Sequence, residues 1–128
     1  MDLLSEELLF FGDDSGALGL YLAVRAAVME RWPATTVIVH KTQINLQDPR
    51  PYCWISFTLG KGGRKRTAPK ITVSFVHPHP TNSERIPHRS EPYPGRFMHH
   101  LALRSADEVD AELMGWIALS RAFRNKLL

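Results

Sequence analysis

The chain has a single cysteine, Cys53, among its 128 residues. One thiol excludes an internal disulfide framework and fits a reducing compartment. No apolar run approaches the ~18 residues needed to cross a bilayer. The opening Met1-Asp2-Leu3-Leu4-Ser5-Glu6-Glu7 carries acids where a signal peptide carries cations. The Gly-x4-Gly-Lys-Ser/Thr phosphate loop is missing, as is the Gly-x-Ser-x-Gly nucleophile elbow. Carboxylates crowd the helical segments and none pair on the strands, so no acid–base couple is evident. No cofactor-binding motif is found. These absences predict a cytoplasmic protein without a committed catalytic set. The basic excess is slight, with a net charge of +3 and a pI near 9.3. Charge alone therefore permits nucleic-acid contact without requiring it.

What is present suits one globular domain over residues 1–128, long enough to bury roughly two thirds of its unfolded surface. Residues 1–11 suit a short amphipathic helix through Leu3, Leu4, Leu8 and Phe11. Asp14 or Ser15 then supplies an N-cap for a helix over 16–31. Leu18, Tyr21, Leu22, Arg25, Val28 and Met29 recur at spacings of three and four, which marks a buried stripe. Pro33 ends that helix by excluding Trp32 from the α region.

Alternating segments follow at 36–40, 42–46, 52–59, 71–76 and 97–103. Strict alternation predicts strands with one buried face and one wetter face. In 52–59, Cys53, Ile55 and Phe57 oppose Tyr52, Trp54 and Ser56. Ser105-Ala106-Asp107-Glu108 reads as a capping box opening a helix over 105–125, with Val109, Leu113, Trp116, Ile117, Ser120 and Phe123 as its stripe. Two connections stand out: a glycine-rich basic hairpin at 60–69, and a long loop at 78–95 with five prolines. The fold expected is α+β, two-layered. A mostly antiparallel sheet of about five strands carries the N- and C-terminal helices on one face.

The segments Lys41-Thr42-Gln43-Ile44, Tyr52–Phe57, Lys70–Phe75 and His99-His100-Leu101-Ala102-Leu103, followed by the helix with Trp116-Ile117, carry a likeness. The chain resembles a family of small bacterial proteins described as domains of unknown function. These share a Lys-Thr-Gln strand, a His-His strand and a closing helix. The resemblance covers about residues 18–124. It implies a helix-flanked antiparallel sheet and a cytoplasmic location, and it assigns no activity or catalytic residue. The proline-rich loop has no counterpart in it.

The polar sheet face is the leading candidate surface. Lys41 and Arg96 would supply charge to a small polar or anionic ligand, Gln43 and His100 hydrogen bonds, and Tyr52 and Trp54 a stacking wall. The plain alternative is a solvated face or a homodimer surface, since Tyr and Trp also favour interfaces. A second candidate is a nucleic-acid contact through Lys61, Arg64, Lys65, Arg66 and Lys70, because phosphates need charge more than fixed geometry. His77-Pro-His79 with His88, His99 or His100 is a loose match to zinc-ligand spacing, and we assign no metal to it. Its plain reading is surface histidines plus one core histidine, His99. Ser56 or Ser74 beside His100 would imitate a nucleophile and base. The surrounding sequence lacks the usual supports, so the reading leans away from an enzyme.

Overall fold

Gly12 and Asp14 turn the chain's first corner. Helix α1 (Ser5–Phe11) stops at Gly12, whose φ of 57° suits a residue without a Cβ. Helix α2 (Ser15–Arg31) begins under Asp14, whose carboxylate accepts from the Ala17 amide at 2.9 Å. Trp32 leaves the helix at φ −133° and ψ 77°, as expected of a residue before proline. These features come from a computed structural model of the protein, which describes residues 3–57 and 71–127. Lys61, Arg64, Lys65, Arg66 and Lys70 of the basic hairpin lie outside the described residues.

The strands are β1 (Thr36–Val39), β2 (Ile44–Gln47), β3 (Pro51–Phe57), β4 (Ile71–His77), β5 (His88–Tyr93) and β6 (Arg96–Leu103), and helix α3 (Ala111–Arg124) follows. They form one sheet in the order β1-β2-β3-β4-β6-β5, with antiparallel neighbours throughout. The sheet has six strands, not the five expected. The extra one, β5, lies inside the proline-rich loop. All six of its residues are exposed, so it has no buried face and leaves no alternation to read.

One side of the sheet meets the helices. Ile44, Ile55, Val73 and Leu101 stand in register across four strands and are essentially inaccessible. Tyr21, Val24 and Val28 of α2 and Leu113 and Ile117 of α3 complete the same core. Cys53 belongs to it as a small hydrophobe, and burial pushes its thiol up to about 12. The N-terminal helices are joined by a buried ion pair. Glu7 accepts from Arg25 Nε at 2.7 Å, from the Leu4 amide at 2.7 Å, and from the Tyr21 hydroxyl. Three donors thus meet the buried carboxylate, and such partners are the condition for keeping it there.

Two details differ from the expected pattern. Ser105–Glu108 does form a capping box, but it caps a 3-10 turn over Ala106–Glu108. Helix α3 starts afterwards, under Asp110, whose carboxylate accepts from the Leu113 amide at 3.0 Å. Tyr52 also departs from the alternation. Leu46 pairs with Cys53 while Gln47 pairs with Pro51, so Tyr52 is the extra residue of a bulge. The bulge turns its ring into the core, where its hydroxyl meets Thr35 Oγ1 at 2.7 Å and its ring meets Trp32 edge-on at 5.7 Å.

Beyond the Trp54–Ser74 pair, the β3–β4 ladder is completed by a helix side chain. The hydroxyl of buried Ser120 donates to the Tyr52 carbonyl at 2.7 Å and accepts from the Val76 amide at 3.0 Å. Neighbouring residues of α3 hold the β2–β3 turn. Arg121 pairs with Asp48 at 2.9 Å, Arg124 Nε donates to the Pro51 carbonyl at 2.8 Å, and Asn125 donates to the Asp48 carbonyl at 2.7 Å. Ser120→Ala leaves a buried N–H and a buried C=O without a partner. Urea unfolding of that variant is expected to show a loss of about 2–4 kcal/mol with an unchanged slope. A loss under ~0.5 kcal/mol would mean that water or a shifted strand replaces the hydroxyl.

Candidate functional site

Sheet register assembles a single row of side chains on the face away from the helices. Ile38 pairs with Asn45, Asn45 with Trp54, Trp54 with Ser74, Ser74 with His100, and His100 with His88. The row crosses all six strands, ~24 Å at the usual strand spacing. Its centre is an indole flanked by an amide on one side and a hydroxyl and two imidazoles on the other.

Polar contacts order the row. Gln43 Nε2 donates to Asn45 Oδ1 at 3.0 Å, and Asn45 Nδ2 donates to His40 Nε2 at 3.2 Å. Ser74 Oγ lies 2.8 Å from His100 Nδ1. Asn45 and Ser74 are buried, while Trp54 and His100 are half-buried. Burial, and then the proximity of His88, hold the His100 imidazole below its usual range, which keeps it neutral at pH 7. Among the described residues neither the Trp54 indole N–H nor His100 Nε2 has a hydrogen-bond partner. Two polar groups of the row thus stay available beside an aromatic surface.

Of the residues expected to form the site, Gln43, Trp54 and His100 come together here. Lys41 is exposed in the β1–β2 turn, two residues before Gln43. Arg96 is four residues from His100 along β6, ~13 Å away at the strand rise, and lines a different cleft. Tyr52 is in the core and takes no part, for the bulge described above. Asn45 and Ser74 complete the row and were legible from alternation. His88 was not, because its strand was not foreseen.

Ser74 and His100 are within the reach of a nucleophile and a base. No carboxylate orients the imidazole among the described residues, and the serine is buried. No group of three or more His, Cys, Asp or Glu among the described residues is placed to hold a metal ion.

A second imidazole pair lies on the helix side, with ring centroids 4.7 Å apart. His77 Nε2 donates to the Trp116 carbonyl at 3.0 Å, so its Nδ1 accepts from the Thr81 hydroxyl at 2.7 Å. His99 Nε2 accepts from the Thr81 amide at 2.9 Å. The His99 proton therefore sits on Nδ1, a buried atom with no partner among the described residues. Both rings are neutral members of the core, and Phe75 stacks on His99 at 5.5 Å. Core histidines thus number two, His77 joining the expected His99.

A two-layer α+β protein with an open antiparallel sheet and a polar row on its free face is the class these features define. The chain belongs to the family described as Domain of unknown function (DUF5655), whose match runs over residues 10–126. No curated protein and no solved structure matches it. Among the described residues no helix is long and apolar enough to cross a membrane.

The buried pair makes stability depend on pH. Burial, and secondarily His77, lower the His99 imidazole to about 4, and burial lowers His77 as well. The unfolded chain therefore binds more protons than the folded one between that value and the ordinary histidine value of ~6.5. Stability is full above pH ~6.5 and falls as the pH drops towards 4. Melting temperatures across this window should decline more steeply in the wild type than in His99→Gln. Parallel profiles would show that other groups set the acid response.

Proposed function

We propose that the protein is a non-enzymatic binding domain whose open sheet face takes a small polar ligand with a planar group. The observation that carries the reading is the register row, which sets Trp54 between Asn45 and the Ser74–His100 pair. A planar ligand stacks on the indole, a contact worth about 1–3 kcal/mol. Its polar edge bonds to His100 Nε2 and to the Gln43–Asn45 amides. Lys41 stands close in sequence to Gln43 and supplies charge to an anionic ligand. Fixed partners on Asn45 and Ser74 hold these groups in place before binding, which lowers the ordering cost of association.

A thermal-shift screen of planar polar metabolites tests the reading. At least one compound should raise the melting temperature of the wild type and leave Trp54→Ala and His100→Ala unmoved. A normal melt that no compound shifts would defeat it. A dimer mass by light scattering that becomes monomeric in Trp54→Ala would instead give the face to a second copy of the chain. The rival reading, nucleic-acid contact through Lys61, Arg64, Lys65, Arg66 and Lys70, predicts oligonucleotide binding that weakens steeply with salt and survives Trp54→Ala.

A further inference from the structure

At one end of the sheet, four cations converge. Arg50 comes from the β2–β3 turn, Arg96 from the first position of β6, Arg124 from the last turn of α3, and Lys126 from just beyond it. Together with Pro94, Gly95 and Phe123 they line a cleft of about 280 Å3.

Three arginines elsewhere are paired with carboxylates. Arg25 meets Glu7, Arg85 meets Asp110 and Glu112, and Arg121 meets Asp48. In the cleft no carboxylate neutralises any of the four cations among the described residues. Glu91, near in sequence, spends an oxygen on the Gly95 amide at 3.0 Å. Arg124 is fixed through Nε to the Pro51 carbonyl, and its terminal nitrogens have no hydrogen-bond partner among the described residues. The Arg96 guanidinium rests 5.8 Å from the Tyr93 ring centroid. Burial, then Arg96 and Arg50, hold Arg124 below the usual guanidinium value, so the like charges feel one another.

Such an arrangement costs Coulomb energy unless an anion joins it. Guanidinium groups fit phosphate oxygens in a bidentate manner. The volume is near the lower end of ligand pockets, which run from ~300 Å3 upward, and suits one charged group rather than a polymer groove. We propose that this cleft binds the phosphate or pyrophosphate end of a small metabolite, with Phe123 as an apolar wall for the adjoining carbon skeleton. The inference stands apart from the reading of the sheet row, since the two surfaces share no lining residue.

Calorimetric titration with pyrophosphate at low salt tests it. One site per chain is expected in the wild type and in Trp54→Ala. In the double variant Arg50→Gln, Arg96→Gln the affinity should fall at least about tenfold, as loss of charge-assisted bonds to an oxyanion requires. Both side chains are exposed and lack hydrogen bonds among the described residues, so the variant should keep the wild-type near-ultraviolet spectrum. Absence of binding to the wild type at millimolar pyrophosphate overturns the proposal, as does undiminished binding to the double variant. So does a single-stranded oligonucleotide that binds more tightly than pyrophosphate and loses affinity in the same double variant, since it would make the cleft part of a nucleic-acid surface.

Discussion

The hydroxyl of Ser120 closes a gap in the sheet that no backbone group fills. At Tyr52 the third strand bulges and no longer offers its carbonyl to the fourth, and the helix supplies the missing donor and acceptor through one side chain. Much of the molecule's other end follows from that contact. It sets the rotation of α3 about its axis. That rotation brings Arg121, Arg124 and Asn125 over the Asp48–Pro51 turn. It also presses Ile117 and Leu113 into the core. The bulge in turn rotates the Tyr52 ring inward against Trp32, which docks the end of α2 on the same layer.

Charge is distributed unevenly around this frame. Near the N-terminus a fully buried carboxylate is saturated by three partners, so α1 and α2 meet through a specific polar contact instead of through apolar surface alone. Arg85 in the 78–87 segment reaches Asp110, Glu112 and the Glu108 carbonyl, and its guanidinium lies 5.6 Å from the Trp116 ring centroid. That one residue ties the start of α3 to the long connection after β4. At the opposite end of α3, Arg121 is paired with Asp48, while Arg124 and Lys126 meet no carboxylate among the described residues. The helix thus has a neutralised beginning and a tail on which Arg124 and Lys126 keep their charge.

Periodicity disclosed the elements with a buried face: α2, α3, four of the inner and outer strands, and β6. It succeeded there because burial writes an alternation or a stripe into the residues. It failed at β5, whose six residues are all exposed, so that burial leaves no alternation in them. It failed at Tyr52 for a different reason. A bulge shifts the parity of everything on one side of it, and nothing in Pro51-Tyr52-Cys53 marks the extra residue. The capping boxes illustrate a third limit: Ser105 and Asp110 both have the right side chains, and only packing decides which one starts the long helix. For the site, Trp54, Gln43 and His100 were legible because parity puts them on one face. Arg124 and Lys126 were not, because cations at a helix end are already explained by its dipole, and Arg50 was not, because it lies in a strand–strand turn far from them in sequence.

Strand β1 and strand β5 are the two margins of the sheet, and they are built differently. The β5 margin carries Arg89, Glu91 and Pro92, a mix of charge and a missing amide that discourages any further chain from pairing there. The β1 margin runs Thr35-Thr36-Val37-Ile38-Val39-His40, with β-branched residues in five of six positions, no proline and no acidic or lysine or arginine side chain. Stretches of that composition are the ones that template intermolecular strands once they fray from their fold. In a concentrated solution or a partly unfolded population, the molecule's hazard of growing into larger β assemblies is therefore lopsided. Of the two margins it falls on β1, next to the turn that leads from α2 into the sheet.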